Sequence, residues 1–192
     1  MSPAKNSDAT TTPVGGHMPG DPDKDELIER IIRVDQAGEY GAVRIYAGQL
    51  AVLGRGPKGD MIRHMKLQED HHLDTFNTMA AERRVRPTIL TPFWHVAGFA
   101  LGAGTALLGE KAAMACTVAV EETIDVHYRA QIEKLGDDER ELRETCRKFR
   151  EDELEHRDIG YQHGAENAPA YPLLSRAIKF GTAMAIKLSE KI

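Results

Sequence analysis

The chain has 192 residues, of which 29% are charged and 41% hydrophobic, a balance that fits one globular domain with its own core. A net charge of −5 argues against nucleic acid as a main partner. The two cysteines, Cys116 and Cys146, are far apart and form no CxxC, so they imply no disulfide framework and fit a reducing compartment.

Residues 1–24 carry Ser, Thr, Pro, Gly and Asp with almost no large apolar side chains, and are expected to form a disordered tail. They lack the apolar stretch of a secretory signal. With Asp8, Asp21 and Asp23 and no arginine, they also make a poor mitochondrial presequence. Residues 25–192 form the expected domain. Apolar positions recur at three and four over 26–53, from Leu27 and Ile28 to Ile45 and Leu50, which predicts a helix. Gly54, Gly56 and Pro57 end it. A second helix is predicted over 58–84, with Met61, Ile62, Met65, Phe76 and Met79 on one stripe. Helices are further expected over 110–135, 138–163 and 171–190, with Asp137 and Asp138 as candidate N-caps of the fourth. No convincing strand periodicity occurs, so the class is all-α with antiparallel neighbours.

Between these lies a stretch without a charged residue, Pro87 to Gly109. Its 23 residues are long enough to span a bilayer, for which roughly 20 are needed. Arg83, Arg84 and Arg86 precede it, where they can meet anionic headgroups, and Phe93 and Trp94 suit an interface. A buried, glycine-rich core helix is the plain alternative. A true crossing conflicts with the ligand pattern described next, because it would part the two halves of the pattern across a membrane.

Two Glu-x-x-His pairs each follow a lone glutamate by about thirty residues. Glu39 precedes Glu69 and His72, and Glu121 precedes Glu153 and His156. The Glu-to-Glu gaps are 30 and 32, and the sets are offset by 82 to 84, which marks an internal duplication. Residues i and i+3 share one helix face, so a Glu and a His at that spacing can ligate neighbouring ions of one cluster. A gap of thirty matches one helix, a turn, and a return to the same height. Four carboxylates offset two divalent ions, and hard oxygens with two imidazoles and no thiolate suit Fe or Mn better than structural Zn. Ferritin-like di-metal proteins use this arrangement. The competing reading is two solvated charged faces. Against it, Glu39 lies in AGEYGA and Glu121 in CTVAVEET, small and apolar surroundings in which a carboxylate needs a compensating cation. Gly38 and Gly41 are expected to allow close helix approach. His71 adjoins His72, and Glu122 adjoins Glu121; only His72 keeps the i+3 relation to Glu69.

Several blocks extend the pattern into a family resemblance. VDQAGEYGA with RIYAGQ (34–49), FALGAGTALLG (99–109), MACTVAVEE (114–122), ELEHRDIG (153–160) and APAY (168–171) resemble the demethoxyubiquinone hydroxylases of ubiquinone biosynthesis. The likeness covers roughly residues 27–192. It implies a ferritin-like four-helix bundle with additional interfacial and C-terminal helices, holding two Fe ions per chain in a carboxylate-bridged di-iron site. It maps the metal ligands onto Glu39, Glu69, His72, Glu121, Glu153 and His156, and favours Glu121 over Glu122.

The implied activity is O2-dependent hydroxylation of a polyprenyl 3-demethoxyubiquinol to 3-demethylubiquinol. The chain is then a peripheral membrane protein that meets the membrane surface through about 88–108. Its expected location is the cytoplasmic face of a bacterial inner membrane, or the matrix side of the mitochondrial inner membrane in a eukaryote. Gly98, Gly102 and Gly104 are expected to leave room for a flat ring or chain. Lipid-binding or other ubiquinone-synthesis proteins are possible partners. Asp35 and Asp152, the latter near His156, are candidates to orient ligands. His127 and Tyr128, about two turns after Glu121, are candidates for proton transfer or ring positioning. A ferritin-like ferroxidase or storage protein shares the ligand set, and a non-catalytic scaffold of a ubiquinone-synthesis complex is a third class.

Overall fold

The computed structural model describes residues 22–192, so most of the proposed tail lies outside the described residues. Six helices follow in order: α1 (Lys24–Leu53), α2 (Gly56–Glu82), α3 (Thr91–Leu107), α4 (Glu110–Lys134), α5 (Arg140–Gln162) and α6 (Tyr171–Ser189). There is no strand among the described residues.

Local chemistry sets the helix ends. Asp23 caps α1, its side chain accepting from the Glu26 amide at 2.8 Å. Gly56, at φ 71°, turns the chain from α1 into α2, and Pro57 occupies the first turn, where no amide is needed. The expected caps on α5 are not formed. Asp137 and Asp138 instead lie in a short 3-10 turn, Asp137–Glu139, before it. Asp137 accepts from Arg143 at 2.7 Å, and Asp138 pairs with Lys24. A cationic side chain within reach, the Arg143 guanidinium for Asp137 and the Lys24 ammonium for Asp138, outcompetes the local backbone amides.

The chain consists of two halves laid out alike. α1 and α2 form one hairpin, and α4 and α5 form the other. Contacts between Gln49 and Ala113, Tyr46 and Glu121, and Gln131 and Asp35 run α1 and α4 antiparallel. Those between Gln68 and His156, and His72 and Asp152, do the same for α2 and α5. These four helices enclose the core, with Ile32, Ile62, Met65, Phe76, Met114 and Leu142 fully buried. The third helix of each half packs outside, α3 on α1 and α6 on α4.

α3 occupies the uncharged stretch but is only 17 residues long, and no helix among the described residues is long and apolar enough to cross a membrane. Of its three glycines Gly102 leaves no room, whereas Gly98 lines the cavity described below as well as touching α1. A Cβ on Gly102 would fall 1.9 Å from the Ile45 carbonyl oxygen, and one on Gly98 3.0 Å from that of Gly41. On the α1 side, a Cβ on Gly48 would lie 2.2 Å from the Phe99 carbonyl oxygen. Gly48, Gly98 and Gly102 therefore let the two backbones touch. Gly38 and Gly41, expected to do that, face open space, as does Gly104. The room lies on the α1 side of the groove.

Candidate metal centre

The glutamates at 39 and 121 project from α1 and α4, and the Glu-x-x-His pairs from α2 and α5, all towards one point between the helices. Each of the six is buried, His72 and His156 completely. Two groups of ligand atoms lie close enough to hold an ion: Glu39, Glu69, His72 and Glu153; and Glu69, Glu121, Glu153 and His156. Glu69 and Glu153 are common to both. His72 Nδ1 is 3.5 Å from Glu39, 3.8 Å from Glu69 and 3.3 Å from Glu153. His156 Nδ1 is 3.1 Å from Glu69 and 3.3 Å from Glu153. His71 points to the exposed side, and Glu122 turns outward to Lys179 and Tyr161.

The two imidazoles are aimed by bonds that cross between the halves. His72 Nε2 meets Asp152 Oδ2 at 3.0 Å, and His156 Nε2 meets Gln68 Oε1 at 3.0 Å. Both partners are acceptors, so Nε2 carries the proton and Nδ1 faces the cluster. Asp152 thus serves the histidine of the other half, not His156 as its position suggested. Gln68 was not foreseen, although it precedes Glu69 as Asp152 precedes Glu153. His72 also stacks on Phe149, ring centroids 3.8 Å apart.

Tyr128 donates to Glu39 Oε1 at 2.5 Å, and Tyr46, which sequence reasoning passed over, donates to Glu121 Oε1 at 3.2 Å. Burial first, then the facing glutamate, pushes both phenols well up, so both remain donors. His127 does not join the cluster. Its ring lies against Gln131 at 2.8 Å and Asp35 at 3.5 Å, near the surface. Asp35 accepts from Gln131 at 2.7 Å and orients no cluster histidine. Cys116 and Cys146 are buried free thiols.

The electrostatics of the cluster are compatible with a bound cation. Both oxygens of Glu69, one each of Glu121 and Glu153, and His72 Nδ1 are buried without a hydrogen-bond partner. Such atoms are costly unless something else engages them. Protons substitute in part. Burial and the neighbouring Glu153 push the Glu69 and Glu121 carboxyls well up. Burial opposes charge on His72, but Glu153 and Glu39 outweigh it and raise this imidazole to about 11. Burial likewise opposes ionised Glu153, yet His156 and His72 hold it down at about 2. Carboxylate oxygens and two imidazole nitrogens gathered in two groups, several of the oxygens and His72 Nδ1 unpartnered and no thiolate among them, fit hard or borderline divalent ions.

A family model described as "Ubiquinone biosynthesis protein COQ7" matches residues 26–189. The chain belongs to the COQ7 family. A Rhodospirillum rubrum relative named 3-demethoxyubiquinol 3-hydroxylase is 63% identical over 176 residues, 91% of this chain and 83% of the relative. A Bos taurus relative named NADPH-dependent 3-demethoxyubiquinone 3-hydroxylase, mitochondrial, is 58% identical over 87% of this chain and 79% of its own. A Saccharomyces cerevisiae relative named 5-demethoxyubiquinone hydroxylase, mitochondrial, is 43% identical over 86% and 78%. All six residues singled out by spacing fall inside the segment matched by the COQ7 model.

An ion binding here would displace protons that the buried carboxyls and His72 otherwise hold. Adding Fe(II) to ion-free protein in weak buffer near pH 7 should release about one proton per chain from His72, and more to the extent that Glu69 and Glu121 hold theirs, titrated by pH-stat. No release would mean that the His72, Glu69 and Glu121 protons are not displaced by the ion.

Proposed function

We propose that this COQ7-family chain is a di-iron monooxygenase that hydroxylates 3-demethoxyubiquinol to 3-demethylubiquinol with O2. The observation that carries this reading is the buried cluster of four carboxylates and two imidazoles, several of their atoms unpartnered, found in a chain 63% identical to a protein named 3-demethoxyubiquinol 3-hydroxylase. Glu39, Glu69, His72 and Glu153 would hold one iron, and Glu69, Glu121, Glu153 and His156 the other. The bound irons would supply the oxygen chemistry. The reaction consumes O2, two electrons and two protons, and releases water. The electrons come from a nicotinamide, as the bovine relative's name indicates for that protein, or from the quinol itself, in which case the hydroxylated product leaves as the quinone.

The protein's own part is positioning and dryness. An apolar cavity of about 330 Å³ lies between α3 and α6, above the groove of α1 and α4. Gly38, Ala42 and Val120 line its floor, beside Glu39 and Glu121 in sequence, and Leu101, Ala97 and Ile186 form walls. A planar ring entering here approaches the two lone glutamates, and the apolar lining keeps bulk water from the reacting centre. The missing side chains of Gly38 and Gly41 provide the width.

The outer faces of α3 and α6 carry large exposed apolar side chains. Phe93 is 60% and Phe180 72% exposed, with Val96, Leu107 and Leu173 similarly open. Such faces on two adjoining helices are rare on a monomer in water and suit the acyl boundary of a bilayer. We place the cavity mouth at the cytoplasmic membrane surface, so that the polyprenyl tail stays in lipid while the ring enters. This face argues against the closed soluble shell of a storage protein.

The reaction is tested with iron-loaded protein and a short-tailed demethoxyubiquinol, and by quinone profiling of a deletion strain. The wild type should form the hydroxylated product, and Glu153→Ala should form none and leave demethoxyubiquinone to accumulate. Restoration by Glu153→Ala would favour the scaffold reading. Membrane association is tested by liposome flotation. The wild type should float and Phe93→Ser/Phe180→Ser should lose at least about half of its binding; equal flotation of both would place the contact elsewhere.

A further inference from the structure

The duplication reaches beyond the six candidate ligands. Each lone glutamate is followed seven residues later by a tyrosine and three further on by a glutamine: Glu39, Tyr46, Gln49 and Glu121, Tyr128, Gln131. Neither tyrosine bonds the glutamate of its own half. Tyr46 on α1 donates to Glu121 on α4, and Tyr128 on α4 donates to Glu39 on α1. The glutamines cross the same way. Gln49 donates to Thr117 at 3.4 Å and Gln131 to Asp35 at 2.7 Å, and Thr117 and Asp35 are matching positions four residues before the glutamates. The imidazole-holding pair, Gln68 and Asp152, crosses too.

Resting on the di-iron reading, we infer that Tyr46 and Tyr128 are positioning residues, each fixing the lone carboxylate supplied by the opposite half so that one oxygen is held by the phenol and the other is left for an ion. Glu121 shows the arrangement directly: Oε1 accepts from Tyr46, while buried Oε2 has no partner. A glutamate on a helix has three rotatable bonds, and an unheld carboxylate is free to swing away or to grip one ion with both oxygens. The phenol removes that freedom. Because the bonds cross, neither half holds a finished ion position without the other. The two phenols are also distinguishable. Glu39 belongs with His72, and Glu121 belongs with His156. Tyr128 therefore governs the ion beside His72, and Tyr46 the ion beside His156.

The test uses the full chain crystallised ion-free, soaked in limiting Fe(II), with occupancy at each position read from iron anomalous scattering. Wild type should fill both positions. Tyr128→Phe should lower affinity roughly 10-fold or more beside His72 and leave the position beside His156 within about twofold. Tyr46→Phe should do the reverse. A residue that merely fills the core would move neither position selectively. Equal losses at both positions, losses at the opposite ones, or no loss would overturn the inference. Should one variant not fold, the other alone decides. No iron at either position in the wild type would instead sink the di-iron reading itself.

Discussion

Six titratable side chains meet in a buried space between four helices, and the two imidazoles among them offset only part of the charge of four carboxylates. Four are carboxylates, and four of their oxygens together with His72 Nδ1 are buried without a hydrogen-bond partner. Ionised together without a counter-charge, they would repel each other in a medium of low polarity. Protons relieve part of this, which is why burial drives Glu69 and Glu121 up while His72 keeps its charge. Under the di-iron reading proposed above, two divalent cations would relieve the rest, and the hydrogen bonds from neighbouring helices keep the donors aimed.

The aiming depends on crossed pairs. In each half the donors to the cluster are held by residues of the other half, through Asp152, Gln68, Tyr46 and Tyr128. A duplicated hairpin that bonded only to itself would make two independent weak sites. Crossing ties the two hairpins together at the height where Glu69 and Glu153 are shared. The outer helices extend the logic: α3 lies against α1 backbone to backbone through Gly48, Gly98 and Gly102, which leaves the groove toward α6 open as an apolar cavity.

Much of this was legible in the sequence because helical geometry is periodic. The i+3 rule separated His72 from His71, and the thirty-residue gaps placed four helices with their carboxylates level. The family resemblance selected Glu121 over Glu122. Helix bounds came within a few residues, since Gly54, Pro57 and Gly109 interrupt the chain in unmistakable ways. What escaped were pairings between helices, which no local rule encodes. Asp152 was assigned to its neighbour His156 when a facing helix presented His72. Asp137 and Asp138 read as caps because their competitors, Arg143 and Lys24, were invisible in one dimension. Glycines show the same blindness: composition marks where side chains are missing but not whether a backbone or a cavity fills the gap. Tyr46 and Gln68 were recoverable, because applying the offsets of 82 and 84 to Tyr128 and Asp152 leads straight to them.

The claim that both halves grip one pair of ions is reached most directly by iron-edge X-ray absorption of the loaded protein. Shared Glu69 and Glu153 predict an iron–iron scattering path at about 3–4 Å, on top of a shell of oxygen and nitrogen neighbours. A spectrum of light-atom neighbours alone, at full iron loading, would mean isolated ions and would contradict the account.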